Sequence, residues 1–140
     1  MIWPGLPKRL ESALKGLCCL ADAGGAMQSH AIAEKIAVPR AETAKVLQLL
    51  AWGGFVKSRR GTRGGFQLAA SPDQITTGQV VDFFVSKFEA EPEDDCPVMR
   101  ILRETTAPCQ EAFRSLTLAD IAARRYKPCC KQSAGKAGVR

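Results

Sequence analysis

Histidine is nearly absent from this chain: His30 is its single instance in 140 residues. No Ser/His/Asp set, no glycine-rich phosphate loop and no paired Cys/His spacing of a zinc site is present, so an enzyme is not expected. His30 itself reads as a surface residue at a helix start rather than a ligand. Aromatic residues make up only 6% of the chain. The core must therefore rest on Leu, Ile, Val and Ala, which suits helices. No apolar run approaches the roughly 18 residues that a membrane helix needs. The stretch Lys8 to Ala26 imitates a signal peptide, but Glu11, Lys15 and Asp22 interrupt it, so a soluble, cytoplasmic protein is expected.

Acidic residues are scarce in the first half. Residues 1–70 carry ten Lys and Arg against four Asp and Glu, whereas residues 71–140 carry ten of each. The whole excess of +6 thus lies in the first half. A basic half joined to a neutral one suggests one surface for a polyanion and another for a different task. The bland alternative is a solvated basic face with no partner. The six cysteines are Cys18, Cys19, Cys96, Cys109, Cys129 and Cys130. Two vicinal pairs make a poor secreted disulfide framework, which leaves free thiols, metal ligands or redox-active groups.

The periodicity predicts mostly helices. Leu10, Ala13, Leu14, Leu17 and Ala21 recur at helical spacing, and Gly24-Gly25 stops that helix. Ser29 is placed as the N-cap of a short second helix carrying Ile32, Ala33 and Ile36. Val38-Pro39 breaks the chain, and a third helix begins near Arg40, with Val46, Leu47, Leu49 and Leu50 inward and Gly53-Gly54 at its end. Two helices joined by so short a turn form a helix-turn-helix pattern.

A β-hairpin follows at once. Residues 55–59 and 66–68 read as its strands, joined by the glycine-rich turn 60–65. A hairpin in that position is a wing. Its tip carries Arg59, Arg60, Thr62 and Arg63, with Lys57 behind, able to meet phosphates or a narrow minor groove. In such a motif the second helix enters the major groove with its first residues, here Arg40, Ala41, Glu42, Ala44 and Lys45. Arg40 can pair with guanine and Glu42 can accept from cytosine. Gln28, Ser29 and His30 stand at the start of the preceding helix, where backbone N–H groups favour phosphate.

Thr76 with Gln79, and Thr117 with Asp120, form capping boxes. Their staples are Ile75 with Val80 and Leu116 with Ile121. Helices are expected over 77–87 and from 117 to about 125. Between them lies an acidic loop, residues 89–95, then a longer helix from Pro97 with Val98, Ile101, Leu102, Ala112 and Phe113 apolar. Pro108 should kink or restart it. This long helix is a natural dimerisation element, or else packs within one subunit. The expected organisation is a mainly α chain with a small β-hairpin wing. A winged helix-turn-helix occupies 1–74, a helical dimerisation and sensor region 75–126, and a disordered tail 127–140.

Several runs carry a family resemblance. They are Ala44 to Leu50, Gly53-Gly54-Phe55-Val56, Ser58-Arg59-Arg60-Gly61, Gly64 to Ala69, and Pro72 followed by Ile75 to Val81. Together they resemble the bacterial winged helix-turn-helix regulators that include IscR and NsrR, which sense iron–sulfur status, nitric oxide or redox state. The resemblance spans about residues 8–125. It implies a homodimer with a long crossing helix, acting on a palindromic double-stranded DNA operator as a repressor or activator.

Many of these regulators hold an iron–sulfur cluster through three closely spaced cysteines. Aligned on Thr117 to Asp120, Cys96 stands at the last of the three, the preceding loop has no cysteine, and Met99 stands where some members carry a histidine. Glu11 falls where certain members donate an acidic ligand across the dimer. The resemblance thus marks Cys96 and Glu11 as candidate ligands, with two expected thiolates missing. Cys109 is the remaining candidate, yet thirteen helical residues span roughly 20 Å. A shared site with Cys96 would need a break at Pro108 or ligands from both subunits. A thiol or small-molecule sensor, a regulator without cofactor, and a winged-helix module acting through a protein partner are the alternatives. Core packing is the reading for Cys18 and Cys19, an interface thiol for Cys109, and tail thiols for Cys129 and Cys130.

Overall fold

The computed structural model describes residues 7–88 and 97–123. Six helices and one hairpin follow in chain order within them: α1 (Lys8–Ala23), α2 (Ser29–Ile36), α3 (Arg40–Trp52), β1 (Val56–Arg59), β2 (Gly65–Leu68), α4 (Thr77–Phe88), α5 (Pro97–Arg114) and α6 (Leu118–Ala122). A short 3-10 turn, Pro72–Gln74, separates β2 from α4. The acidic loop 89–95, Cys96, the tail from 127 and the side chain of Leu102 lie outside the described residues. No helix of the described residues is long and apolar enough to cross a membrane.

The core forms around α1. Leu10, Leu17 and Leu20 are within 1% of full burial, and they meet Ile32 of α2, Leu47 and Leu50 of α3, Val80 of α4 and Leu118 of α6. Each such side chain contributes about 1.5–3 kcal/mol by leaving water, so this cluster sets the relative placement of every helix it joins. The first and second halves of the chain therefore share one core.

Helix ends follow local chemistry, with one departure from expectation. Gly24 closes α1 in the left-handed region, its N–H on the Leu20 carbonyl. The cap of α2 is Gln28, one residue before the expected Ser29, which instead starts the helix without capping it by its side chain. Ala37 ends α2 at φ 56, the one non-glycine residue at positive φ among the described residues. Its turn, closed by Val38 and Pro39, sets the angle between α2 and α3. Both capping boxes form. Thr76 and Gln79 exchange hydrogen bonds of 3.2 Å, and Thr117 and Asp120 exchange bonds of 3.0 Å.

Pro108, expected to kink or restart its helix, lies inside one. Helix α5 runs through it from Pro97 to Arg114 without restarting. Proline leaves the Glu104 carbonyl without its helical donor. Glu104 and Pro108 are both exposed, so water can satisfy that group at little cost.

The far end of α5 is locked to α4. Arg114 clasps Asp82 through two hydrogen bonds of 2.7 and 2.9 Å, and the buried Thr77 hydroxyl donates to the Phe113 carbonyl. Thr77 N–H donates to Leu116 and Leu118 N–H to Ile75, which joins the two capping boxes in an antiparallel bridge. These pairings are non-local, and the sequence gives no signal for them.

Candidate nucleic-acid interface

Helix α3 divides cleanly into two faces. Thr43, Val46, Leu47 and Leu50 point into the core. Ala41, Lys45, Gln48 and Trp52, spaced four, three and four apart, are exposed on the opposite side. Trp52 is 68% exposed, an unusual state for so large an apolar ring. A groove of about 770 Å³ runs along this face, with Arg9 of α1 on its rim and Glu42, Lys45, Gln48 and Trp52 in its wall. The sequence reading took in Lys45 but missed Gln48 and Trp52, which lie one and two turns further along the same stripe.

The first turn of α3 is less free than its sequence suggests. Arg40 is exposed but paired with Glu34 of α2 at 2.9 Å. Exposed pairs of this kind are worth about 0–1 kcal/mol, so Arg40 can exchange that partner at little cost. Glu42 is half-buried, and its carboxylate accepts from the Ser12 hydroxyl of α1 at 3.4 Å. It therefore belongs to the α1–α3 contact as well as to the groove. Ala44 is half-buried beside it.

The wing is a two-stranded antiparallel hairpin pairing Val56 with Leu68, Lys57 with Gln67, Ser58 with Phe66 and Arg59 with Gly65. Val56 is buried, while Lys57, Arg59, Arg60, Thr62 and Arg63 are exposed. Among the described residues, none of the four basic side chains is engaged in an ion pair. No carboxylate among the described residues therefore neutralises them.

The root of the wing is anchored to the segment that leads into α2. Met27 N–H donates to Phe66 at 2.9 Å and Phe66 N–H returns the bond at 2.8 Å. Gln28 adds a side-chain bond from Nε2 to the Gly64 carbonyl at 3.0 Å. Gly65 makes this approach possible. It sits at φ 121, and a Cβ there would overlap the Met27 carbonyl. Gln28 thus serves the wing root, while Ser29 is half-buried and His30 exposed in the first turn of α2.

Of the cluster candidates, Glu11 and Cys109 lie within the described residues, and each is engaged elsewhere. Glu11 is exposed and held by Lys15 at 2.8 Å, and that lysine, through its hydrogen bond and its charge, keeps the carboxyl below its usual range. Cys109 is disulfide-bonded, which withdraws its sulfur from ligation in this state. Cys96 lies outside the described residues, and α5 shows no restart at Pro108. No three His, Cys, Asp or Glu side chains converge as a metal site among the described residues. Glu11 and Cys109 are thus each engaged, and the described residues alone form no iron–sulfur site.

Residues 6–124 match the family model described as Rrf2, iron-dependent transcriptional regulator. A chain named as an HTH-type transcriptional regulator from Synechocystis sp. is 34% identical over 105 residues, covering 69% of this chain and 71% of that one. The HTH-type transcriptional repressor NsrR of Streptomyces coelicolor is 30% identical over 135 residues, covering 88% and 91%. Among solved structures, T. potens IscR superposes with a TM-score of 0.71 at 23% identity, covering 86% of this chain and 88% of that one. CymR, the global cysteine regulator of B. subtilis, superposes at 0.70 with 26% identity, covering 87% and 98%.

Proposed function

The chain belongs to the Rrf2 family of transcriptional regulators, and on that premise we propose that it is a cytoplasmic homodimer that binds a palindromic DNA operator and represses transcription there. The observation that carries this reading is the anchored wing, with Lys57, Arg59, Arg60 and Arg63 exposed on a hairpin held to the start of α2. Basic side chains on such a support neutralise phosphates or enter a narrow minor groove. Helix α3 enters the major groove, with Arg40, Ala41 and Lys45 nearest the base edges and Glu42 selecting against a wrong base. Gln28 and Ser29 lie against a phosphate at the start of α2. In this reading residues up to 74 form the reading unit and 75–126 the dimerisation and sensing unit.

One winged helix covers too little DNA for a useful specificity ratio, so a dimer is expected. Val98 and Ile101, 70% and 61% exposed and three residues apart on α5, supply an apolar strip for that contact. The S. coelicolor relative, a repressor by name, supports repression. For the signal we favour a thiol or small molecule over a cluster held within one chain, because Glu11 and Cys109 are each engaged elsewhere. A cluster would have to draw ligands from both subunits.

A shift assay across a salt series tests the core of this proposal. Binding should weaken steeply with rising salt, as several phosphate contacts require. A salt-insensitive interaction would favour a protein partner instead. Protein purified without oxygen should be colourless and free of stoichiometric sulfide. Brown protein carrying iron and sulfide would overturn the reading of the signal while leaving the DNA reading intact.

A further inference from the structure

Three sulfur residues outside the DNA-reading surface lie at the seam of α1, α2 and the wing. Cys19 is buried on α1, and its thiol donates to the thioether of Met27 at 3.8 Å. Cys18, the preceding residue, is a half-buried free thiol. Both cysteines open on one groove of about 460 Å³ between α1 and α2, walled by Lys15, Asp22, Lys35 and Ile36.

The separation is informative. Metal–sulfur bonds of about 2.3 Å, at tetrahedral or trigonal angles, place two sulfurs roughly 3.8–4.0 Å apart. Cys19 and Met27 already stand at 3.8 Å. One thiolate and one thioether form a soft donor pair that selects monovalent copper over harder divalent ions. The groove reaches Cys19, and Cys18 lines the same wall.

Met27 is also the residue whose main chain exchanges both hydrogen bonds with Phe66 at the wing root. A metal bonded to its sulfur acts through one side chain on the strut that orients the wing.

We propose that Cys19 and Met27, completed by Cys18, form a binding site for a soft monovalent cation, Cu(I), whose occupancy is transmitted through Met27 to the wing. On binding, the Cys19 S–H bond breaks, its proton goes to solvent and a Cu–S bond forms. Copper enters and stays as Cu(I), so no electron is transferred.

The test is Cu(I) titration of the reduced full chain, without oxygen, against a chromogenic Cu(I) chelator. The other four cysteines, at 96, 109, 129 and 130, are replaced by serine so that only this site can answer. The chain should retain one Cu(I), and Met27→Leu, which preserves volume, should weaken retention at least tenfold. Trypsin cleavage at Arg59, Arg60 and Arg63 should accelerate severalfold with Cu(I) in the parent and stay unchanged in Met27→Leu. Equal retention by parent and Met27→Leu would overturn the site. Retention that depends on Met27 but leaves the cleavage rate unmoved would overturn its link to the wing. Circular dichroism of both chains, matching the unsubstituted protein, confirms that a loss reflects the ligand rather than the fold.

Discussion

Gln28 Nε2 donates to the Gly64 carbonyl at 3.0 Å, across 36 residues of sequence, and so ties the helix-turn-helix to the wing. The Met27–Phe66 exchange lies one residue away on the first side and two on the other, and makes the tie a three-bond seam. Gln28→Ala should cost about 1 kcal/mol, the net worth of a typical hydrogen bond, and loosen the wing without unfolding the core. Gly65→Ala should do far more, because φ 121 and the Met27 carbonyl both exclude a side chain. Denaturant melts combined with DNA titrations separate the two. Gly65→Ala should lose binding under conditions where Gln28→Ala keeps most of it.

Arg63 and Arg40 should fail in different ways. Arg63 is an exposed wing residue, so Arg63→Ala should weaken binding to all sequences and reduce the salt slope by about 1. Arg40→Ala should relax preference at one base step, at about 1–3 kcal/mol. Isotherms on operator and scrambled DNA decide between these roles. Equal losses on both DNAs for Arg40→Ala would remove it from base reading.

Local codes were the legible part of this fold. The capping boxes at Thr76 and Thr117 need only residues three apart, so side-chain chemistry alone announces them. The glycine-bounded hairpin and the spacing of Leu10, Leu14 and Leu17 were equally plain. What escaped was set by distant partners. Glu42 reads as a free base-reading carboxylate until Ser12, thirty residues earlier, is placed beside it. The wing seam and the Asp82–Arg114 clasp join segments about thirty or more residues apart. Pro108 left a kink and a restart both open, and the helix that contains it continues from Pro97 to Arg114.

Ala37 offers a stabilising substitution at the helix-turn-helix corner. At φ 56 its Cβ crowds the backbone, a cost of about 1–2 kcal/mol that glycine does not carry. Glycine loses about 0.4–1 kcal/mol of that gain through the freer unfolded chain. Ala37→Gly should therefore raise the melting temperature by a few degrees and leave operator affinity unchanged. A lower melting temperature would mean that this alanine has packing worth more than its strain.

The thiol of Cys18 should be slow to react at neutral pH. Burial, then the nearby Asp22 and Cys19, push its pKa up to about 11 from an ordinary value near 9.0. Because the folded value is the higher one, its contribution to stability is whole below pH 9 and is lost as pH rises towards 11. Alkylation of the native protein, mapped by mass spectrometry, should rise mainly above pH 9. Rapid labelling of Cys18 at pH 7 would show a thiolate that this environment does not support.

Ile101 tests the assembly itself. It is 61% exposed on α5, with Val98 three residues before it, while the core beneath is already closed by Leu118, Val80 and Phe84. A charge at this position therefore disturbs little within one chain. Across a dimer the same charge would be buried without a partner, at a cost of several kcal/mol per ion. Ile101→Glu should keep its circular dichroism spectrum but elute as a monomer, with light scattering giving the mass of one chain. Operator affinity should then fall steeply, because each half-site is bound alone, while weak binding to scrambled DNA persists. A variant that remains dimeric would place the subunit contact elsewhere on the molecule.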